Sequence, residues 1–173
     1  LGITRTFQKT NVFPNVTVLE AVLMGSYCRI HGSAWEILLM RKRYREAERA
    51  LRENGRQILH FLGLEHRSNV TSKNLSYGEQ RLLEIATALA LEPELLLLDE
   101  PAAGMNPTEA DNIMSVISKI RDRGITIILV EHNMDVVMNI SDRVVVLDHG
   151  SKICEGPPHA VQEDQCVLEA YLG

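Results

Sequence analysis

Asp99 and Glu100 follow the uninterrupted run Leu95-Leu96-Leu97-Leu98, and Glu131 and His132 follow a second apolar run, Ile125–Val130. Runs of that length read as strands, and a continuous run reads as a strand covered on both faces of a parallel sheet. In open parallel sheets, ligands gather outside the carboxyl ends of the strands. An aspartate there can hold Mg2+ through a water, because magnesium takes one or two carboxylates plus substrate phosphates and keeps much of its hydration. An adjacent glutamate can orient and deprotonate an attacking water. A histidine at the neighbouring strand end can hydrogen-bond a phosphoryl group in transfer, a reaction that asks for little beyond positioning and positive charge. Each residue alone has a plainer explanation. A strand closing in Asp-Glu simply leaves the core for water, and a single histidine such as His132 is more often satisfied or solvated. Gln8, at the end of a first short strand, is unremarkable by itself. The chemical reading rests on their conjunction, in order, on suitable elements.

A second constellation lies in Leu75-Ser76-Tyr77-Gly78-Glu79-Gln80-Arg81. Ser76 followed three residues later by Glu79 is a capping box at the start of an amphipathic helix. Such a cap leaves free N–H groups at a helix N-terminus, a ready site for an anion. Gly78 lets a ligand come close to the backbone. The stretch therefore reads as an ordinary helix start that could also receive an anion.

The elements that position these groups follow from periodicity and punctuation. Residues 1–8 predict a short strand, and Asn11-Val12-Phe13-Pro14-Asn15 a turn. Thr17 opens a short helix with Glu20 as its capping partner. From Trp35 to Leu62 the pattern is helical, with Tyr44, Ala47 and Leu51 on one face and Ile58 and Leu62 continuing after Gly55. Between Arg41 and Arg56 stand seven Arg or Lys against three Glu, a solvated helix face or a contact surface for a partner or anionic headgroups. Asn106-Pro107-Thr108-Glu109 starts a helix whose Ile113, Val116, Ile117 and Ile120 share a face, and Gly124 ends it. Asn133 caps another helix. Arg143–Asp148 pairs with Ser151–Glu155 across His149-Gly150, and a last short helix runs to Gly173. Strands alternating with helices predict an α/β architecture with a largely parallel sheet. The division expected is a core segment 1–20, a helical subdomain 21–92 and the rest of the core at 93–173.

The chain's 173 residues are 45% hydrophobic, enough for one globular core, and its net charge of −5 argues against a nucleic-acid partner. No apolar run approaches the about 18–20 residues needed to cross a bilayer, and no signal peptide opens the sequence. Cys28, Cys154 and Cys166 are odd in number and widely spaced, which fits a reducing compartment and gives no disulfide frame or zinc site.

Taken in order, these motifs resemble the ATP-binding subunit of ABC transporters. Thr6-Phe7-Gln8 resembles the Q-loop, Leu75–Arg81 the signature motif, and Leu95–Glu100 the Walker B strand with its catalytic glutamate. Ala103, Gly104, Met105 and Asn106 stand at the D-loop position, and His132 at the switch histidine. The resemblance implies an ABC ATPase, P-loop NTPase-like in fold, incomplete at its N-terminus, that uses ATP and Mg2+. Glu100, His132 and Gln8 would be catalytic, and Asp99 and Gln8 would hold Mg2+ through water. Ser76, Tyr77, Gly78 and Glu79 would meet the nucleotide of a partner subunit. The implied partners are a second ABC ATPase subunit, identical or related, and transmembrane permease subunits, with no nucleic acid. The implied location is peripheral, on the cytoplasmic face of the inner (plasma) membrane.

A narrower resemblance runs through Gly2–Gln8, the Arg-rich insert before Leu62-Gly63-Leu64, the stretch Asp99–Pro107 and the ending Glu169-Ala170-Tyr171-Leu172-Gly173. These look like the subunit serving branched-chain amino acid importers, although relatives for urea, amides or lipopolysaccharide share parts of them. Tyr77 stands where the family usually has Gly, Glu79 where it has Gln, and Asn106 where it has Asp.

Gly-x-x-x-x-Gly-Lys-Ser/Thr occurs nowhere in this sequence, and neither does any Gly-Lys pair. With Leu1 rather than Met at position 1, the expectation is a piece of a longer chain whose phosphate cradle lies upstream of residue 1. This chain alone is then expected not to hydrolyse ATP, and to lack sheet strands whose absence leaves an edge unpaired. Two other readings follow. A soluble ABC ATPase of DNA repair or translation would insert a long coiled coil or join two cassettes, and neither is visible. A non-catalytic or remnant subunit would offer only its Ser76 face to an intact neighbour.

Overall fold

The computed structural model describes residues 2–6, 14–27 and 41–172. They fall into two compact units, Leu1–Leu129 and Val130–Gly173, each described by itself.

The sheet of the first unit contains β1 (Ile3–Arg5), β2 (Leu95–Asp99) and β3 (Thr126–Val130) in the order β1-β2-β3. β1 and β2 run parallel, with Ile3 opposite Leu95 and Arg5 opposite Leu97. Alternate residues of a strand face opposite ways, and the two faces differ. Leu96 and Leu98 are fully buried, whereas Leu95 and Leu97 are half-buried and Ile3 is exposed. The expected strand covered on both faces is therefore covered on one. β3 departs further from the expected buried strand, because Ile128 and Val130 are about half exposed. Among the described residues β1 and β3 are the outer strands of the sheet, and only β2 presents a fully buried face.

Among the described residues this unit has four α-helices: α1 (Val18–Tyr27), α2 (Arg41–Phe61), α3 (Tyr77–Leu89) and α4 (Pro107–Arg121). α1 begins as predicted. The Thr17 N–H and hydroxyl both donate to the Glu20 carboxylate at 2.8 Å, and the Thr17 hydroxyl accepts from the Glu20 N–H at 3.3 Å. α2 carries its burial in its second half, where Gly55, Ile58 and Leu59 are enclosed. Ala47 is exposed and Leu51 half-buried, so the expected apolar face is not buried at Ala47, and the Tyr44 side chain lies outside the described residues. The reason is compositional: residues 46–53 of α2 are mostly charged, and Arg52 pairs with Glu48 at 3.1 Å. Residues 35–40, assigned to the same helix from sequence, lie outside the described residues.

α1 and α3 cross closely. A Cβ built on Gly25 would lie 2.5 Å from the Thr87 carbonyl oxygen, a distance no side chain tolerates, so the crossing needs glycine there. The chain entering α1 is also stitched to the segment leading into α3. The Val18 N–H donates to the Val70 carbonyl at 2.9 Å, and Ser72 donates through its N–H and hydroxyl to the Val16 carbonyl at 2.9 and 3.0 Å. These bonds fix the approach to Ser76. α4 starts on Asn106, with Pro107 at the first helical position, and buries Ile113, Val116, Ile117 and Ile120; Gly124 follows its end at φ 88°, as expected.

The second unit contains α5 (Met134–Ile140), the antiparallel pair β4 (Val144–Asp148) and β5 (Ser151–Gly156), α6 (Pro158–Gln162) and α7 (Gln165–Leu172). The hairpin turns through His149 and Gly150, both at positive φ, the conformation a two-residue turn needs to match strand twist. Val144, Val146, Val161 and Val167 form its small core. α6 escaped the sequence reading because Pro157-Pro158 looks like a breaker; Pro158 instead occupies the first turn, where a missing N–H costs nothing. Cys154 and Cys166 are free thiols, and Cys28 lies outside the described residues. Among the described residues no helix is long and apolar enough to cross a membrane.

Candidate functional site

β2 delivers Asp99 and Glu100 to its carboxyl end, as the sequence predicted. Arg5 sits opposite Leu97 on β1, and its guanidinium reaches diagonally to donate to Asp99 Oδ2 at 3.1 Å. Sequence reasoning missed this pair, because the two residues are 94 positions apart and only strand register brings them together. Glu100 has φ 44°, the left-handed region, immediately before Pro101. A non-glycine residue held there costs on the order of 1 kcal/mol or more, and such positions cluster where function needs them. The chain then turns tightly. The Ala103 N–H donates to the Glu100 carbonyl and the Met105 N–H to the Ala102 carbonyl, both at 3.2 Å, with Gly104 at φ 75° between them. Asn106 ends the turn as the cap of α4, accepting from the Glu109 N–H at 3.0 Å while Glu109 accepts from the Asn106 N–H at 3.2 Å.

The capping box at the start of α3 is also present. The Ser76 hydroxyl accepts from the Glu79 N–H at 3.3 Å, and Glu79 Oε2 accepts from the Ser76 N–H at 2.9 Å. The N–H groups of Tyr77 and Gly78, in the first helical turn, have no acceptor within the helix by its geometry. Gly78 is instructive. A Cβ there would meet only the Glu109 side chain at 3.5–3.7 Å, ordinary contact, and its φ is not in the left-handed region. Packing within the chain thus gives no reason for a glycine at 78, whereas close approach of something from outside would.

Glu79, where the family usually has Gln, does not project as a bare charge. Its Oε1 accepts from Arg67 Nε at 2.8 Å, an ion pair that spans the loop before α3. Partial burial pushes the Glu79 carboxyl up, but the Ser76 N–H and the Arg67 guanidinium outweigh it and hold the group below the ordinary carboxylate range. Nothing in the sequence pattern flagged Arg67.

The structure joins two motifs that the sequence kept apart. The Tyr77 hydroxyl donates to the Ala103 carbonyl at 3.1 Å, so Ser76–Glu79 and Ala103–Asn106 form one continuous surface. His132 follows β3 beside the cap Asn133, whose side chain accepts from the Val136 N–H at 3.3 Å; it is exposed and belongs to the second unit. Gln8 and Phe7 lie outside the described residues.

The donor chemistry fits the groups expected. Asp99 is a carboxylate at a strand end, partly open to solvent and met by one guanidinium, which suits a magnesium ion that takes most of its ligands from water and phosphate. The N-terminus of α3 offers first-turn N–H groups to an anion, with the Glu79 carboxylate balanced by Arg67 and the Glu109 carboxylate, near Gly78, accepting from the Asn106 N–H.

A family model described as ABC transporter matches residues 2–103, more than half of the chain. The chain belongs to the ABC transporter family. A second model, described as branched-chain amino acid ATP-binding cassette transporter, matches residues 151–173 of this ABC cassette. Over 174 residues it is 37% identical to the high-affinity branched-chain amino acid transport ATP-binding protein LivG of Escherichia coli, covering all of this chain and 68% of that protein. It is 36% identical to the corresponding protein BraF of Pseudomonas aeruginosa, covering 99% of this chain and 68% of the relative. Among solved structures, the ADP conformation of MJ1267, an ATP-binding cassette of an ABC transporter, superposes with a TM-score of 0.79 at 33% identity, covering 99% of this chain and 68% of that one. MJ0796, a cassette whose dimeric post-hydrolysis state is bound to ADP and Pi, gives 0.69 at 26% identity, covering 90% and 62%. The fold is accordingly that of an ABC ATPase, α/β and P-loop NTPase-like, and the chain is a nucleotide-binding subunit type.

Proposed function

We propose that this ABC cassette belongs to the ATP-hydrolysing, energy-coupling subunit of an importer for branched-chain amino acids. One observation carries the substrate class: the match of residues 151–173 to the branched-chain amino acid cassette model, at the end of the chain where general ABC features have stopped. The named relatives support it across the full length.

In this reading Glu100 is the general base. It takes the proton of the attacking water, and the left-handed backbone that holds it at the end of β2 is the strain accepted for its position. His132 and Gln8 complete the catalytic set, His132 by donating a hydrogen bond to the transferred phosphoryl group. Asp99 and Gln8 hold Mg2+ through water, and the ion when bound neutralises phosphate charge. Ser76, Tyr77, Gly78 and Glu79 present the α3 N-terminus to a nucleotide held by a second ATPase subunit, identical or related. Ala103, Gly104, Met105 and Asn106 face the same neighbour as the D-loop. The segment 21–92 acts as a helical subdomain that meets transmembrane permease subunits, between core segments 1–20 and 93–173. That arrangement places the protein peripherally on the cytoplasmic face of the plasma membrane.

The sequence contains no Gly-x-x-x-x-Gly-Lys-Ser/Thr loop, so the 173-residue polypeptide by itself does not turn over ATP in this reading. The test uses the native complex. Glu100→Gln removes the base while keeping size and polarity. It is expected to lower ATP turnover by about 10²–10⁴-fold, to leave ATP retention intact and to stop ATP-driven uptake of leucine. Turnover at the wild-type level would instead indicate a non-catalytic subunit.

A further inference from the structure

Tyr77 occupies a position with more connections than a helix start requires. Its hydroxyl donates to the Ala103 carbonyl at 3.1 Å and accepts from Arg81 Nη2 at 3.2 Å. The Arg81 guanidinium also lies 5.5 Å from the Tyr77 ring centroid, one helical turn along α3. Arg81 is itself anchored, with a buried side chain and an ion pair to Glu84 at 3.0 Å. The ring of Tyr77 lies against Gly104, where an added Cβ would sit 3.8 Å from it. On the other side of the bond, the Ala103 N–H donates to the Glu100 carbonyl at 3.2 Å. A chain of hydrogen bonds and one ion pair thus runs Glu84–Arg81–Tyr77–Ala103–Glu100, from the interior of α3 to the backbone of the strained residue at the end of β2. A glycine at 77 could make none of the side-chain contacts in it.

We propose that Tyr77 is a positioning residue, tying the Glu100–Asn106 turn to the N-terminus of α3 so that these two surfaces shift together. The inference rests on the functional reading above, in which the α3 terminus meets a nucleotide and Glu100 is the base. Its consequence is that engagement of the α3 terminus by a neighbouring subunit's nucleotide is felt at the backbone of Glu100 in the same chain. Hydrogen bonds to a carbonyl held in a tight turn restrict it directionally, and the buried Arg81 keeps the phenol pointed at Ala103 rather than at solvent.

The variant Tyr77→Phe keeps the ring and removes the hydroxyl, so the fold of α3 is retained. In the native complex, two quantities are measured against wild type: amide hydrogen exchange over residues 101–107, and kcat and KM for ATP. Exchange over 101–107 is expected to rise about two- to tenfold, the range that loss of one hydrogen bond spans. The value of kcat, normalised to the amount of folded complex, is expected to fall by a similar factor with KM unchanged, the pattern of an interaction realised only in the transition state. Unchanged exchange, or unchanged kcat, overturns the proposal. If the wild-type complex shows no ATP turnover, the functional reading fails instead. The exchange data then report the structural tie by itself.

Discussion

Arg67 donates to one oxygen of the Glu79 carboxylate while the other oxygen accepts the Ser76 N–H, so a single side chain both caps α3 and is charge-balanced from the preceding loop. A glutamate at the start of a helix already interacts favourably with the helix dipole. Near a nucleotide it would repel phosphate, and Arg67 removes that conflict. The pair explains how Glu can stand where the family usually has Gln without placing an uncompensated negative charge on the proposed docking surface.

That arrangement sets a pH dependence. The Glu79 carboxyl titrates below its ordinary value of 4.5 in the folded chain. A depressed folded value means that its stabilisation is complete above about 4.5 and is lost as pH falls through the folded value. Glu79→Gln keeps an acceptor for the Ser76 N–H but cannot ion-pair. The variant is expected to be less stable than wild type by about 0.5 kcal/mol near neutral pH. The difference should vanish as both are acidified. Urea midpoints measured at a series of pH values check this, and a gap that persists at the lowest pH would show that the Arg67 pair is not its source.

The α1–α3 crossing gives a second prediction. Gly25→Ala drives a methyl group into the Thr87 carbonyl, a backbone atom that cannot swing away. Overpacking of this kind costs about 1–3 kcal/mol. Because α1 also braces the strand-like contact of Thr17 with Thr71, the approach to Ser76 should loosen with it. A lowered thermal midpoint, with faster amide exchange at residues 70–76, is the expected result.

Much of this was legible before any coordinates. Capping residues are local, so Thr17, Ser76, Asn106 and Asn133 could each be assigned from their neighbours, and all four cap as expected. The positions of Asp99 and Glu100 at a strand end followed from one apolar run. What escaped was set by distance in sequence. The Arg5–Asp99 pair needs the β1–β2 register, Arg67–Glu79 needs the path of a loop, and Tyr77–Ala103 needs the packing of α3 beside the turn after β2. The run Leu95–Leu98 misled for a related reason: a continuous apolar strand states that both faces avoid water, but not which residues cover them.

In the proposed function the α3 N-terminus is a nucleotide-docking surface and not only a capped helix start. Ser76→Asp separates the two, because Asp caps as well as Ser while placing a carboxylate where phosphate would approach. The measurement is ATP turnover of the native complex carrying this variant, alongside its thermal midpoint. Docking of a nucleotide there predicts an unchanged midpoint and turnover reduced by about tenfold or more, as expected for like charges brought together away from water. An unchanged midpoint with unchanged turnover would contradict it and leave Ser76 as a helix cap alone.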